Sequence, residues 1–192
     1  MIVLIDNGHG AETPGKRSPD NSILEYAYTR RMADALVDAL RRDGLTARRL
    51  VTETADIPLA ERIRRANSIR EPAILISLHL NAAGSDGRWH DASGFSCFVA
   101  PNASERSRLL ARLLTEEAVR AGLTGNRCVP PDKVWVSNLA ICRRTTCPAV
   151  LTESLFQDNR DDVSRLLSPQ GFRKLVSIHR NAILTYLNRQ NE

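Results

Sequence analysis

Two stretches of the chain are apolar without alternation, Ile2-Val3-Leu4-Ile5 and Ala73-Ile74-Leu75-Ile76-Ser77-Leu78-His79-Leu80-Asn81. Both are too short to cross a bilayer and are rich in leucine and β-branched residues, as strands buried on both faces of a parallel sheet are. Pro148-Ala149-Val150-Leu151-Thr152-Glu153 reads the same way, with Glu153 as its last residue. Between them the period changes to that of a helix. Leu24, Tyr28, Met32, Ala35, Leu36, Ala39 and Leu40 share one face of a helix that Ser22-Ile23-Leu24-Glu25, a capping-box pattern, starts and Gly44 ends. Leu45 to Val51 is a short strand, and a helix from Asp56-Ile57-Pro58 presents Leu59, Ile63, Ala66 and Ile69. The order βαβαβ predicts an α/β fold: a single-domain, open, mainly parallel twisted sheet with helices on both faces.

The second half is less regular. Ala82 to Ser93 is a polar loop holding Trp89 and His90, and Gly94 to Ala100 is a strand. Asn102-Ala103-Ser104-Glu105 fits a second capping box, before a helix whose face is Leu109, Leu110, Leu113, Leu114 and Ala118. Leu123 to Lys133 is expected as a loop, Val134-Trp135-Val136 as a short strand, and Asp158 to Asp162 as an acidic turn. Leu139 to Cys147 fits neither period. Ser168-Pro169 starts the last helix, with His179 inside its apolar stripe and therefore expected in the core.

Composition bounds the partners. The 192 residues carry a net charge of +5 and suit one domain, residues 1–192, with no appended domain expected and no internal repeat. The basic residues are almost all arginines, many in pairs such as Arg30-Arg31 and Arg143-Arg144. Such pairs are solvated helix faces or the footprint of an anionic partner, either nucleic acid or the cell wall. Met1 opens directly into a strand, with no leader pattern, so the chain either needs no signal peptide or has lost one. Cys97, Cys128, Cys142 and Cys147 lack C-x-x-C spacing and are expected as buried free thiols. None sits in a glycine-flanked turn after a strand, which argues against a cysteine nucleophile.

The candidate chemistry lies at strand ends. In open α/β sheets the carboxyl ends of the strands gather ligands. His79 stands at one such end, either as a core or turn histidine or as a functional group. His9, in Asp6-Asn7-Gly8-His9-Gly10, stands at another, where flanking glycines let the chain turn tightly. Glu25 either closes the capping box or presents a carboxylate to the same edge, where a helix of a right-handed βαβ unit begins. His90 is expected to be solvated. A catalytic zinc site needs three N or O ligands, an open position and a base. His9, Glu25 and His79 can supply the ligands, and Glu153 the base.

These residues resemble a family, the zinc-dependent N-acetylmuramoyl-L-alanine amidases, which include bacterial cell-separation amidases and phage endolysins. Ile5-Asp6-Asn7-Gly8-His9-Gly10 is similar to its first histidine motif, Glu25 to its zinc glutamate, and Ile76-Ser77-Leu78-His79-Leu80-Asn81-Ala82 to its second histidine motif. Leu59 to Asn67, with Arg62, is similar to the segment before that histidine, and Arg143 to Glu153 to the run into the catalytic glutamate. Tyr26 and Ser154-Leu155-Phe156 depart from the family pattern at positions that bear on substrate fit. The resemblance implies one Zn2+ per chain on His9, Glu25 and His79, with Glu153 as general base. It implies hydrolysis of the amide between N-acetylmuramic acid and L-alanine in peptidoglycan, at the cell wall in the periplasm or outside the cell. The partners it implies are peptidoglycan and a regulatory protein, with no nucleic acid and no membrane span. The rivals are a zinc peptidase or carboxypeptidase on a similar fold and a non-catalytic cell-wall-binding domain.

Overall fold

The computed structural model describes residues 1–190. It contains strands β1 (Ile2–Asn7), β2 (Thr46–Arg49), β3 (Ala73–Asn81), β4 (Phe95–Val99), β5 (Trp135–Val136) and β6 (Ala149–Phe156). The helices are α1 (Glu25–Arg42), α2 (Leu59–Asn67), α3 (Glu105–Arg120), α4 (Ala140–Arg144), α5 (Arg160–Leu167) and α6 (Pro169–Arg189). The strands form one sheet in the order β2-β1-β3-β6-β4-β5. The first four of that order are parallel, β4 runs antiparallel to β6, and β5 is parallel to β4. No helix among the described residues is long and apolar enough to cross a membrane.

The unbroken apolar runs pack on both sides of the sheet. Val3 and Ile5 of β1, with Ile74, Ile76 and Leu78 of β3, join the core under α1, α3, α5 and α6. Ile2, Leu4, Leu75 and Leu151 point to the opposite face, under α2 and α4. Successive strand side chains alternate between faces. That second face therefore continues toward the carboxyl ends through Asp6 of β1, Ser77 and His79 of β3, and Glu153 of β6, where it turns polar.

From β1 the chain goes to β2 on one side, then crosses to β3 on the other. Right-handed crossovers in opposite directions put α1 and α2 on opposite faces and leave a crevice at the carboxyl ends of β1 and β3.

Several sequence expectations are corrected. α1 begins at Glu25, not Ser22: Ser22 donates its hydroxyl to Asp20 (2.7 Å), and the cap position, Leu24, has no side-chain hydrogen bond. α3 is capped by Ser104, which accepts the Ser107 amide at 3.2 Å, rather than by an Asn102–Glu105 box. The acidic turn is the first turn of α5, where Asn159 accepts the Asp162 amide at 3.0 Å and the acids lie favourably at the positive end of the helix dipole. The strand expected to stop at Glu153 runs on to Phe156 through a register shift against β3, with Leu155 at φ 75°. That left-handed residue turns Leu155 into the α1 side of the core, a bulge rather than a strand end. All four cysteines are free thiols, but Cys128 is exposed and Cys147 half-buried, so burial holds for Cys97 and Cys142 alone.

Candidate metal centre

His9 follows β1 in a left-handed conformation, φ 59°, that a histidine adopts only with support. Its carbonyl accepts hydrogen bonds from Arg30 of α1 (3.0 Å) and Arg62 of α2 (3.1 Å). Arg62 is buried and also donates to the Asn7 carbonyl (2.6 Å) and the Asp6 carboxylate (2.8 Å), whose other oxygen takes the Ser77 hydroxyl at 2.6 Å. Gly8 has no side chain because a Cβ there would overlap the His79 ring.

Glu25 settles its two alternatives by where its oxygens go. It is fully buried and does not bond Ser22. One oxygen lies 3.2 Å from His79 Nδ1, 3.4 Å from His9 Nε2 and 3.0 Å from the Leu80 amide; the other accepts from Gln157 at 3.1 Å. The two imidazoles meet edge to face, centroids 4.9 Å apart. One ligand atom from each of His9, Glu25 and His79 falls within 4.8 Å of the others, so the three can hold a metal ion.

Burial pushes the Glu25 carboxyl up, but the hydrogen bonds and charges of His79 and His9 outweigh it and hold Glu25 well below the usual carboxylate range. His79 is pushed down by burial and pulled up more strongly by Glu25, so its pKa rises. Glu153 pairs with His79 in the β3–β6 register. Its pKa is pushed up to about 7, by burial first, with His79, Lys16 and Arg127 opposing and Glu25 adding to the rise. Glu153 Oε2 is buried with no hydrogen-bond partner among the described residues. Between α2 and α4 a groove of about 310 Å³ reaches His9 and His79, walled by Pro58, Leu139 and Ile141.

The other histidines lie elsewhere. His90 is on the 82–93 loop, its ring against Asp86 at 2.9 Å. His179 is fully buried between the Leu175 carbonyl (2.8 Å) and the Thr152 hydroxyl (3.0 Å).

The family model described as N-acetylmuramoyl-L-alanine amidase matches residues 3–185. The chain belongs to the N-acetylmuramoyl-L-alanine amidase family. Among individual relatives of this amidase family, the N-acetylmuramoyl-L-alanine amidase CwlM of Bacillus licheniformis is 27% identical over 188 residues, covering 97% of this chain and 68% of the relative. The chain thus spans about two-thirds of that protein's length. The amidase Ami1 of Mycobacterium smegmatis has the same fold, with a TM-score of 0.85 at 18% identity over 98% of this chain and 97% of that one. The CwlD amidase of Clostridioides difficile, solved in complex with the GerS lipoprotein, superposes with a TM-score of 0.83 at 20% identity, covering 97% of this chain and 98% of that one.

Sequence reasoning missed Gln157, which anchors the second Glu25 oxygen. Its signal was hidden by the bulge, because a strand ending at Glu153 leaves Gln157 in a turn rather than at the site. In the sequence Arg30 shows only as half of an arginine pair, whereas it is 9% exposed and holds the His9 turn with Arg62.

Proposed function

We propose that this amidase-family chain is a zinc-dependent N-acetylmuramoyl-L-alanine amidase, hydrolysing the amide that joins N-acetylmuramic acid to the first alanine of the peptidoglycan stem. The observation that carries the reading is the convergence of His9, Glu25 and His79, with Glu153 one strand over.

The residues fit zinc. Two imidazole nitrogens and a carboxylate oxygen are the N/O ligand set of catalytic zinc sites. Zn–N and Zn–O lengths near 2.05 Å imply tetrahedral edges of roughly 3.3 Å. The Glu25 oxygen stands 3.4 and 3.2 Å from the two nitrogens. His9, Glu25 and His79 would hold the ion, and Gln157 and the Leu80 amide keep Glu25 oriented. Zinc bound there supplies a Lewis acid that polarises the amide carbonyl and makes water more acidic.

Glu153 does the proton work. Burial pushes its carboxyl up in the metal-free protein, and Oε2 is buried without a partner among the described residues, so the group is placed to take up and return a proton. As water oxygen bonds to the carbonyl carbon, Glu153 accepts the water proton. When the C–N bond breaks, it returns that proton to the leaving alanine nitrogen. The groove between α2 and α4 is open to receive one arm of the substrate beside His9.

Residues 1–192 act in this reading as one catalytic domain at the cell wall. A regulatory protein partner belongs to the same reading, as the related CwlD amidase was solved in complex with the GerS lipoprotein.

Mass spectrometry of purified peptidoglycan digested by the zinc-loaded protein tests the function. The expected products are intact stem peptides with a free N-terminal alanine. Release of C-terminal residues alone would establish the peptidase instead, and binding without bond cleavage would establish the wall-binding domain.

A further inference from the structure

Beside the metal centre lies a second cavity, of about 340 Å³, between the 14–21 loop and the 82–88 loop. Three cations line it, Lys16, Arg17 and Arg88, against one carboxylate, Asp158. Asp158 pins the 82–88 loop, one of its oxygens accepting the Ala83 and Gly84 amides at 2.7 and 3.1 Å, while its other oxygen is buried without a partner among the described residues. None of the three cations forms an ion pair among the described residues, and the one side-chain bond among them joins Arg17 to the neutral Asn21 amide at 3.4 Å.

The cavity is joined to the centre through the backbone. The Lys16 carbonyl accepts the Glu25 amide at 3.0 Å, and Ala82, in the opposite wall, is three residues after His79. The charge of Lys16 is also felt at Glu153.

Resting on the amidase reading, we infer that this basic cavity is a subsite for a carboxylate of the stem peptide, and that Lys16 and Arg88 select stems whose second residue carries a free acid. An extended chain advances about 3.3–3.6 Å per residue, so a carboxylate on the residue after the scissile alanine falls roughly 7–10 Å from the cut bond. The wall that carries Lys16 is bonded through its backbone to Glu25, so it adjoins the residue that meets both histidines. Unpaired cations in a cavity favour such a group by charge-assisted hydrogen bonds that its primary amide forms more weakly.

The test uses two ligands, N-acetylmuramoyl-L-alanyl-D-isoglutamate and the same compound with the free carboxylate converted to the amide. With the zinc-loaded protein, kcat/KM for the acid is expected to exceed that for the amide by about ten-fold, mainly through KM. Lys16→Ala and Arg88→Ala each move that ratio toward one, and Lys16→Glu reverses it. These positions are on polar loops and partly or fully exposed, so folding is retained. Calorimetric titration of both ligands into zinc-loaded Glu153→Gln protein reads affinity without turnover. Turnover of both ligands at equal rates, or a ratio unchanged in the three variants, would overturn the subsite and leave the amidase reading standing. Tighter binding of the acid with no turnover by the parent would support the subsite and overturn the amidase reading. Absence of both turnover and discrimination in binding would overturn the two together.

Discussion

Replacing Arg62 by methionine removes the guanidinium while keeping most of the apolar stem. Arg62 is 4% exposed and Asp6 2% exposed, so the pair is out of water. Arg62 donates to Asp6 Oδ1 at 2.8 Å and to the carbonyls of Asn7, His9 and Ile57 at 2.6, 3.1 and 2.8 Å. Its loss leaves a buried carboxylate with only the Ser77 hydroxyl, and leaves the Asn7 and Ile57 carbonyls without that donor. Removing one partner of a buried pair costs about 3–5 kcal/mol. For a chain of this size each kcal/mol lowers Tm by about 2–4 °C, so the fall is roughly 6–20 °C. Thermal and denaturant unfolding of metal-free Arg62→Met read this directly. Adding Asp6→Asn removes the stranded charge and should restore part of the loss, a coupling of about 1–3 kcal/mol in the cycle. The hub also sets the His9 turn, so zinc affinity should fall about 10- to 100-fold. A Tm within about 2 °C of the parent would show that the buried Arg62–Asp6 pair does not hold the fold together.

Glu153→Gln is expected to keep zinc and lose about two to four orders of magnitude in turnover of purified peptidoglycan, measured by release of soluble peptides; undiminished turnover contradicts its role. Gly8→Ala forces its methyl against the His79 ring and should weaken zinc binding about 10- to 100-fold in competition with a chelator, while unchanged affinity would show that the ring yields freely. His179, held neutral at a pKa of about 4 by burial, makes stability depend on acid. The unfolded chain takes up a proton near 6.5 and the folded one does not until about 4, so stability present above 6.5 is lost at about 1.4 kcal/mol per pH unit on acidification through that window. His179→Leu should flatten this part of the Tm-against-pH curve, and a parallel curve would contradict it.

What the sequence made legible depended on how local the signal was. β1 and β3 announce themselves as unbroken apolar runs, and the glycines around His9 mark its turn. Glu25 carried two meanings in one spacing, and only the tertiary position of β3 decides that its carboxylate meets two histidines rather than Ser22. Strand direction leaves little trace in composition, so the antiparallel placing of β4 beside β6 was invisible. Asp161 and Asp162 look like a polar turn because helix first turns favour acids, which hid α5. The bulge at Leu155 rests on a left-handed leucine, which no propensity favours, and with it went the position of Gln157.

Binding of one cation by His9, Glu25 and His79 together is tested most directly by zinc stoichiometry after exhaustive dialysis. The parent chain should retain about one zinc per molecule, with His9→Ala and His79→Ala each retaining far less while still folded by circular dichroism. Equal zinc in parent and both variants, or none in the parent, would contradict it.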